Sequence, residues 1–142
     1  MVIWFIGLSG SGKTLFSKKL YDILKPNLPN LVRIDGDLVR EMFNNDLDHT
    51  INGRLKNAHR ISHLTKYLSD QNIHVIAAVL SNFPEWQSWN RSNIKDYYEI
   101  YLKSNMETLY TRDNKNLYGP ALEGKLKDVV GVDIAFKEPK QS

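Results

Sequence analysis

Two short stretches of this chain carry residues whose types and spacing could do chemistry. Gly7 to Thr14 reads GLSGSGKT, and Ile34 to Asp37 reads IDGD, two carboxylates placed two residues apart around a glycine. The first satisfies the pattern G-x-x-x-x-G-K-[ST] in full. In such a loop the glycines let backbone N–H groups converge on phosphate oxygens, and the following helix offers its positive end. Gly7, Ser9, Gly10, Ser11, Gly12, Lys13 and Thr14 are therefore expected to hold ATP, with Lys13 on the β and γ phosphates and the Thr14 hydroxyl on Mg²⁺. In the second stretch Asp35 could take the proton of an acceptor hydroxyl or orient a Mg²⁺-bound water. Asp37 could share that work, or cap the helix that it opens. Arg40, one turn further, either clamps an acceptor phosphate or is a solvated helix charge.

Those residues need elements to position them, and the hydrophobic pattern supplies an order. Val2 to Ile6, Leu31 to Ile34, Ile73 to Leu80 and Tyr97 to Leu102 read as strands, the last two as apolar runs buried on both faces. Between them Thr14 to Leu24, Asp37 to Asn44, about Arg54 to Asp70, Pro84 to Lys95 and Met106 to Arg112 read as helices. Leu55, Ala58, Ile61, Leu64 and Leu68 recur at spacings of three and four, which makes the third helix amphipathic. Strand and helix in alternation imply an α/β fold: a mainly parallel sheet, helices on both faces, and a ligand crevice at the carboxyl ends of the strands.

Composition narrows the function. The 142 residues suit one domain spanning 1–142, with a polar lid at about 113–128. The absence of cysteine excludes disulfides and thiolate chemistry, and fits a cytoplasmic protein. No apolar run is long enough for a membrane span. A net charge of +3 without a dense Lys/Arg block favours an anionic small molecule over nucleic acid. No guanine-reading N-K-x-D motif is evident, which turns the phosphate loop toward kinases of a small acceptor.

The linked motifs GLSGSGKT, IDGDLVR, Arg54 with Asn57, VIAAVLS, YYEIYL, RDNKNLYGPALEGK and GVDIAFKEP resemble the adenylylsulfate kinases from about Val2 to Pro139. That family uses ATP to phosphorylate the ribose 3′-hydroxyl of adenosine 5′-phosphosulfate on a P-loop kinase fold. The resemblance implies that Asp37, Arg40, Arg54, Asn57 and Ser81 face the acceptor nucleotide. It also implies that Arg112 and Asp113 open the lid, and that Lys115 and Leu117 belong to it, Lys115 with a catalytic role beside Asp35 and Lys13. Arg112 would share the γ-phosphate charge. A homodimer is compatible with this reading.

The departures fall in the acceptor pocket. Where the family carries G-F-S and F-T-G, whose phenylalanines sandwich adenine, this chain has His49 with Thr50 and Val129 with Val130. Stacking on a base is worth roughly 1–3 kcal/mol per contact. The arginines that follow the family's S-P-Y are absent from SNFPEWQSW, and the lid glycine is Asn116. A known branch that resembles the family phosphorylates cytidine diphosphoramidate in capsular polysaccharide modification, and His49 could hydrogen-bond to or stack on its smaller base. Two kinase readings therefore stand, alongside a nucleotide-binding regulatory module without transferase activity. His59 and His63, four apart, are expected on a solvated helix face. Phe83, Trp86 and Trp89 are expected in core packing or a subunit contact rather than as an acceptor platform, and Lys137 to Ser142 as a frayed tail.

Overall fold

A computed structural model describes residues 1–113 and 115–140. Asn114, in the expected lid, and Gln141 with Ser142, in the expected tail, lie outside the described residues. The elements run β1 (Val2–Ile6), α1 (Lys13–Leu24), β2 (Leu31–Asp35), α2 (Gly36–Met42), α3 (Ile51–Asp70), β3 (His74–Val79), α4 (Pro84–Asn93), β4 (Tyr97–Tyr101), α5 (Met106–Arg112) and α6 (Tyr118–Leu122). The four strands form one parallel sheet in the order β2-β3-β1-β4.

Alternation along β1 divides the core. Val2, Trp4 and Ile6 face a layer built with Ile61, Val75, Ala77, Val79 and Ile94, under α3 and α4. Phe5 points the other way and packs with Leu31, Ile76 and the α1 side chains Leu20, Tyr21 and Leu24. A third cluster joins Leu8, Leu109, Tyr118, Val129, Val130 and Ile134, and so ties the loop after β1 to α5, α6 and the C-terminal loop. Because the chain leaves β1 toward α1 on one face and β3 toward α4 on the other, a crevice opens at the carboxyl ends of these neighbouring strands.

Several expectations needed correction. Strand β4 is not buried on both faces: it is an edge strand, with Tyr98 58% and Ile100 38% exposed. Helix α2 begins one residue earlier than expected, so its cap is Asp35 and not Asp37. Asp35 has extended backbone (φ −138°, ψ 166°), and its carboxylate accepts the Leu38 N–H at 2.8 Å. Helix α3 starts at Ile51 rather than Arg54, because the Thr50 hydroxyl accepts the Gly53 N–H at 3.1 Å. Helix α4 stops at Asn93, since Ile94 is already extended. The expected fraying does not reach Lys137 or Glu138: the Lys137 N–H donates to Asn82 Oδ1 at 2.7 Å, and Tyr101 donates to Glu138 at 3.2 Å.

Candidate active site

One cavity of about 1440 Å³ collects nearly all the residues singled out above. Ser9, Gly10, Ser11, Gly12, Lys13, Thr14 and Arg112 line one end. Asp35, Asp37, Arg40, His49, Arg54, Asn57, Ser81, Lys115 and Leu117 line the rest. Gly7 lies beneath the loop, not on the cavity wall. A Cβ there would collide with the Ser11 hydroxyl and come within 2.8 Å of Leu102 O, so its role is to let the loop sit down on β4's exit.

The phosphate loop is shaped by its glycines. Gly10 and Gly12 have φ of 82° and 98°, conformations that side chains resist, and Gly12 occupies the N-cap of α1. The Lys13 ammonium is folded back onto the loop, donating to Leu8 O at 2.7 Å. Burial, and then the neighbouring Lys115 cation, pull its pKa down from 10.5 to about 8, with Asp37 opposing. Arg112, at the end of α5, reaches Gly10 O at 3.4 Å.

The start of α6 packs against this loop. The Asp113 carboxylate accepts the N–H groups of Leu117, Tyr118 and Gly119 at 2.8–3.0 Å, which start α6 and hold its own pKa below the usual carboxylate range. The Tyr118 hydroxyl donates to Ser9 O at 2.6 Å. Burial and then Asp113 push Tyr118 up to about 12, so it remains a donor at neutral pH. Lys115 forms an ion pair with Asp37 across the mouth of the cavity. Burial alone would raise Asp37, but the Lys115 hydrogen bond and charge, with His49 and Arg40, hold it below its ordinary value.

The opposite wall is tied together by arginines. Arg40, 7% exposed, is neither a solvated charge nor free to clamp a phosphate with its whole fork: its Nη1 donates to Leu47 O and Asp48 O at 2.9 and 3.0 Å. Arg54 donates from Nε to His49 O and from Nη2 to Asp128 O, both at 2.8 Å, and so joins the loop before α3 to the C-terminal loop carrying Val129 and Val130. Burial, then Arg40 and Arg54, push the His49 imidazole below its usual pKa, which keeps it uncharged at neutral pH. Asn57 lines the cavity, and its Oδ1 is buried without a partner in the protein.

Two features escaped the sequence reading. Ser81 has φ 55°, a strained conformation at the end of β3, and Gln87 of α4 holds it by donating to Ser81 O at 3.0 Å and Oγ at 3.2 Å. His59 and His63 are exposed, as expected of a solvated face, and their rings also pack against Trp86 and Trp89, with His59–Trp86 centroids 5.0 Å apart and His63–Trp89 4.6 Å apart. Among the described residues no group of three His, Cys, Asp or Glu could hold a metal there. Phe83 and Trp86 do reach the cavity wall, while Trp89 is held in the histidine cluster.

Over residues 1–142 the chain matches the profile of the adenylylsulphate kinases. The chain belongs to that family. Among its relatives, the cytidine diphosphoramidate kinase of Campylobacter jejuni is 41% identical over 139 residues, covering 98% of this chain and 81% of that protein. An adenylyl-sulfate kinase of Prochlorococcus marinus is 36% identical, covering 99% and 71%. The structure of the Mycobacterium tuberculosis APS kinase in complex with AMPPNP and APS superposes with a TM-score of 0.88 at 28% identity, covering 99% of this chain and 83% of that one. This member of the adenylylsulphate kinase family is thus an ATP-dependent phosphotransferase of the nucleotide-kinase class. As in its relatives, the fold is a parallel α/β P-loop kinase. No helix among its described residues is long and apolar enough to cross a membrane.

Proposed function

We propose that this chain transfers the γ-phosphoryl group of ATP to the ribose 3′-hydroxyl of a nucleotide, and that the nucleotide is cytidine diphosphoramidate or a close analogue. The observation that carries the choice of acceptor is the cavity wall formed by His49, Val129 and Val130. It offers no aromatic pair to sandwich a purine, and its imidazole is uncharged and able to hydrogen-bond. The 41% identity to a cytidine diphosphoramidate kinase supports the same choice. Adenylylsulfate is the second reading, favoured by the 36% identity to an adenylyl-sulfate kinase.

The mechanism is positioning and charge neutralisation. Lys13 would leave Leu8 O for the β and γ phosphates, and Arg112 would approach the same charge from α5. Thr14 and Asp35 present hard oxygen donors to the cavity, which fits Mg²⁺, an ion that takes few protein ligands and shares the rest with phosphates and water. When bound there, Mg²⁺ would neutralise the transferred group's charge. One oxygen of Asp35 is engaged as the α2 cap, and the carboxylate is thereby held rigid for the acceptor's 3′-hydroxyl, whose proton it would receive. Asn57 and Arg54 would hold the acceptor, and Lys115 would exchange Asp37 for phosphate oxygens as the lid closes.

The test follows ADP release with ATP, Mg²⁺ and each of cytidine diphosphoramidate, adenylylsulfate and CDP. Higher kcat/KM for cytidine diphosphoramidate is expected. Preference for adenylylsulfate would overturn the choice of acceptor, and ATP binding without ADP release on any of them would overturn the kinase reading.

A further inference from the structure

The segment that carries Val129 and Val130 to the cavity wall is folded on itself. The Asp133 carboxylate accepts the N–H groups of Asp128 and Val129, each at 2.7 Å. The Gly131 N–H donates to Ile134 O at 2.7 Å, and the Ile134 N–H to Val129 O at 3.2 Å. The turn closes through Gly131, whose φ of 97° is a conformation that side chains resist. These bonds fix Val129 and Val130 relative to each other. Packing with Leu8, Leu109 and Tyr118 draws the segment onto the fold, but a non-directional attraction does not set where along that surface it stops. The place of the wall is left to directional anchors outside the segment.

One anchor is Arg54, which donates to Asp128 O at the segment's start. The other is Asn82, three residues beyond the end of β3 and 6% exposed. Its Nδ2 donates to Ala135 O at 2.9 Å, and its Oδ1 accepts the Lys137 N–H at 2.7 Å. The orientation of the amide is forced, since a carbonyl only accepts and a backbone N–H only donates. A residue in a parallel ladder donates to the carbonyl before its partner and accepts from the N–H after it. With Phe136 as the partner, Asn82 makes the same two bonds from its side chain. Phe136 itself packs against two of the core clusters, so residues 135–137 are held by main chain and side chain at once.

Asn82 directly follows Ser81, which Gln87 holds at its strained φ. One short turn at the exit of β3 therefore presents the serine to the cavity and anchors the segment that forms its far wall. We propose that Asn82 is a positioning residue for the acceptor: its carboxamide sets the place of the Val129 and Val130 wall relative to Ser81, and with it the room left for the base beside His49. The proposal rests on the nucleotide-acceptor reading above. Neither bond of the Asn82 side chain goes to residues 9–14 or to Arg112, so ATP binding should be spared.

The test measures both KM values for Asn82→Leu, which keeps the branched shape and removes both bonds, using whichever of cytidine diphosphoramidate and adenylylsulfate the wild-type protein prefers. The acceptor KM should rise about tenfold, with the KM for ATP within about twofold and kcat within about threefold of wild type. Hydrogen exchange without nucleotide gives a second readout. The Lys137 amide should exchange about tenfold faster, while the Val129 amide, bonded to Asp133, keeps its wild-type rate. If Asn82→Leu does not fold, Asn82→Ala, which leaves room for water at both backbone groups, decides by the same measurements. Equal rises in the two KM values, an unchanged acceptor KM, or faster exchange at Val129 as well as at Lys137 would make Asn82 a general clamp on the fold and overturn the proposal alone. Turnover of neither nucleotide by the wild-type protein overturns the acceptor reading, and the proposal with it.

Discussion

Lys13→Met should make the ligand-free protein more stable, and the gain should depend on pH in a calculable way. A lysine whose pKa falls from 10.5 to about 8 on folding carries an ammonium that the empty loop disfavours by about 3 kcal/mol. The hydrogen bond to Leu8 O offsets about 1 kcal/mol of this in the comparison with methionine. A net gain of about 2 kcal/mol near neutral pH should raise Tm by about 6 °C for a chain of this size. Since the folded pKa lies below the unfolded one, the unfolded wild-type chain holds more protons between pH 8 and 10.5, and wild-type stability rises with pH across that window. The methionine variant has no such rise at this position. Its advantage should therefore be full below pH 8 and close to nothing by about pH 9.5, where about 2 kcal/mol of the wild-type penalty has gone. Urea or thermal unfolding of both proteins without nucleotide, at about pH 7 and about pH 9.5, measures the difference, in which other titrating groups cancel. A variant less stable than wild type near pH 7, or a gap that pH leaves unchanged, would refute the reasoning. The same variant should lose phosphoryl transfer altogether.

Asp35→Asn should lower kcat by about 10²-fold or more with little change in the KM for ATP, and leave Tm nearly unchanged because asparagine also caps α2; normal turnover would remove Asp35 as the base. Tyr118→Phe deletes the bond to Ser9 O, and at about 1–2 kcal/mol should raise the KM for ATP by about tenfold. Faster hydrogen exchange at the amides of Leu117 and Tyr118 should accompany it. Gln87→Leu should release the strained Ser81 and raise the acceptor KM while sparing that for ATP; an equal rise in both would place Ser81 outside the acceptor site.

Much of this architecture was legible because its signals are local. The phosphate loop is readable from eight letters, since its glycines, lysine and hydroxyl act through backbone geometry that spacing alone specifies. Strand and helix order followed from runs and periods. What stayed hidden depends on contacts far apart in the chain. Periodicity on α3 could not show that His59 and His63 meet Trp86 and Trp89 of α4. The edge position of β4 is a property of the sheet, and YYEIYL reads the same at its centre. The cap of α2 moved from Asp37 to Asp35 by a shift of helix start that composition cannot resolve, and with it the two carboxylates took different surroundings. Arg40 turned inward because the carbonyls of Leu47 and Asp48 come back to meet it.

The loop before α3 is anchored at its start by the Arg60–Asp46 ion pair and is held from Leu47 to His49 through its main chain. Arg40 and Arg54 grip its carbonyls, and Asp48 both accepts from the Thr50 N–H at 3.2 Å and lies so close to Gly53 that any side chain there would strike it. A segment whose course is set by its backbone leaves the letter at position 49 open to exchange without redrawing the curve. On the proposed function, acceptor preference would then be interchangeable in the manner of a tool bit, seated in a chuck that does not ask which bit it grips.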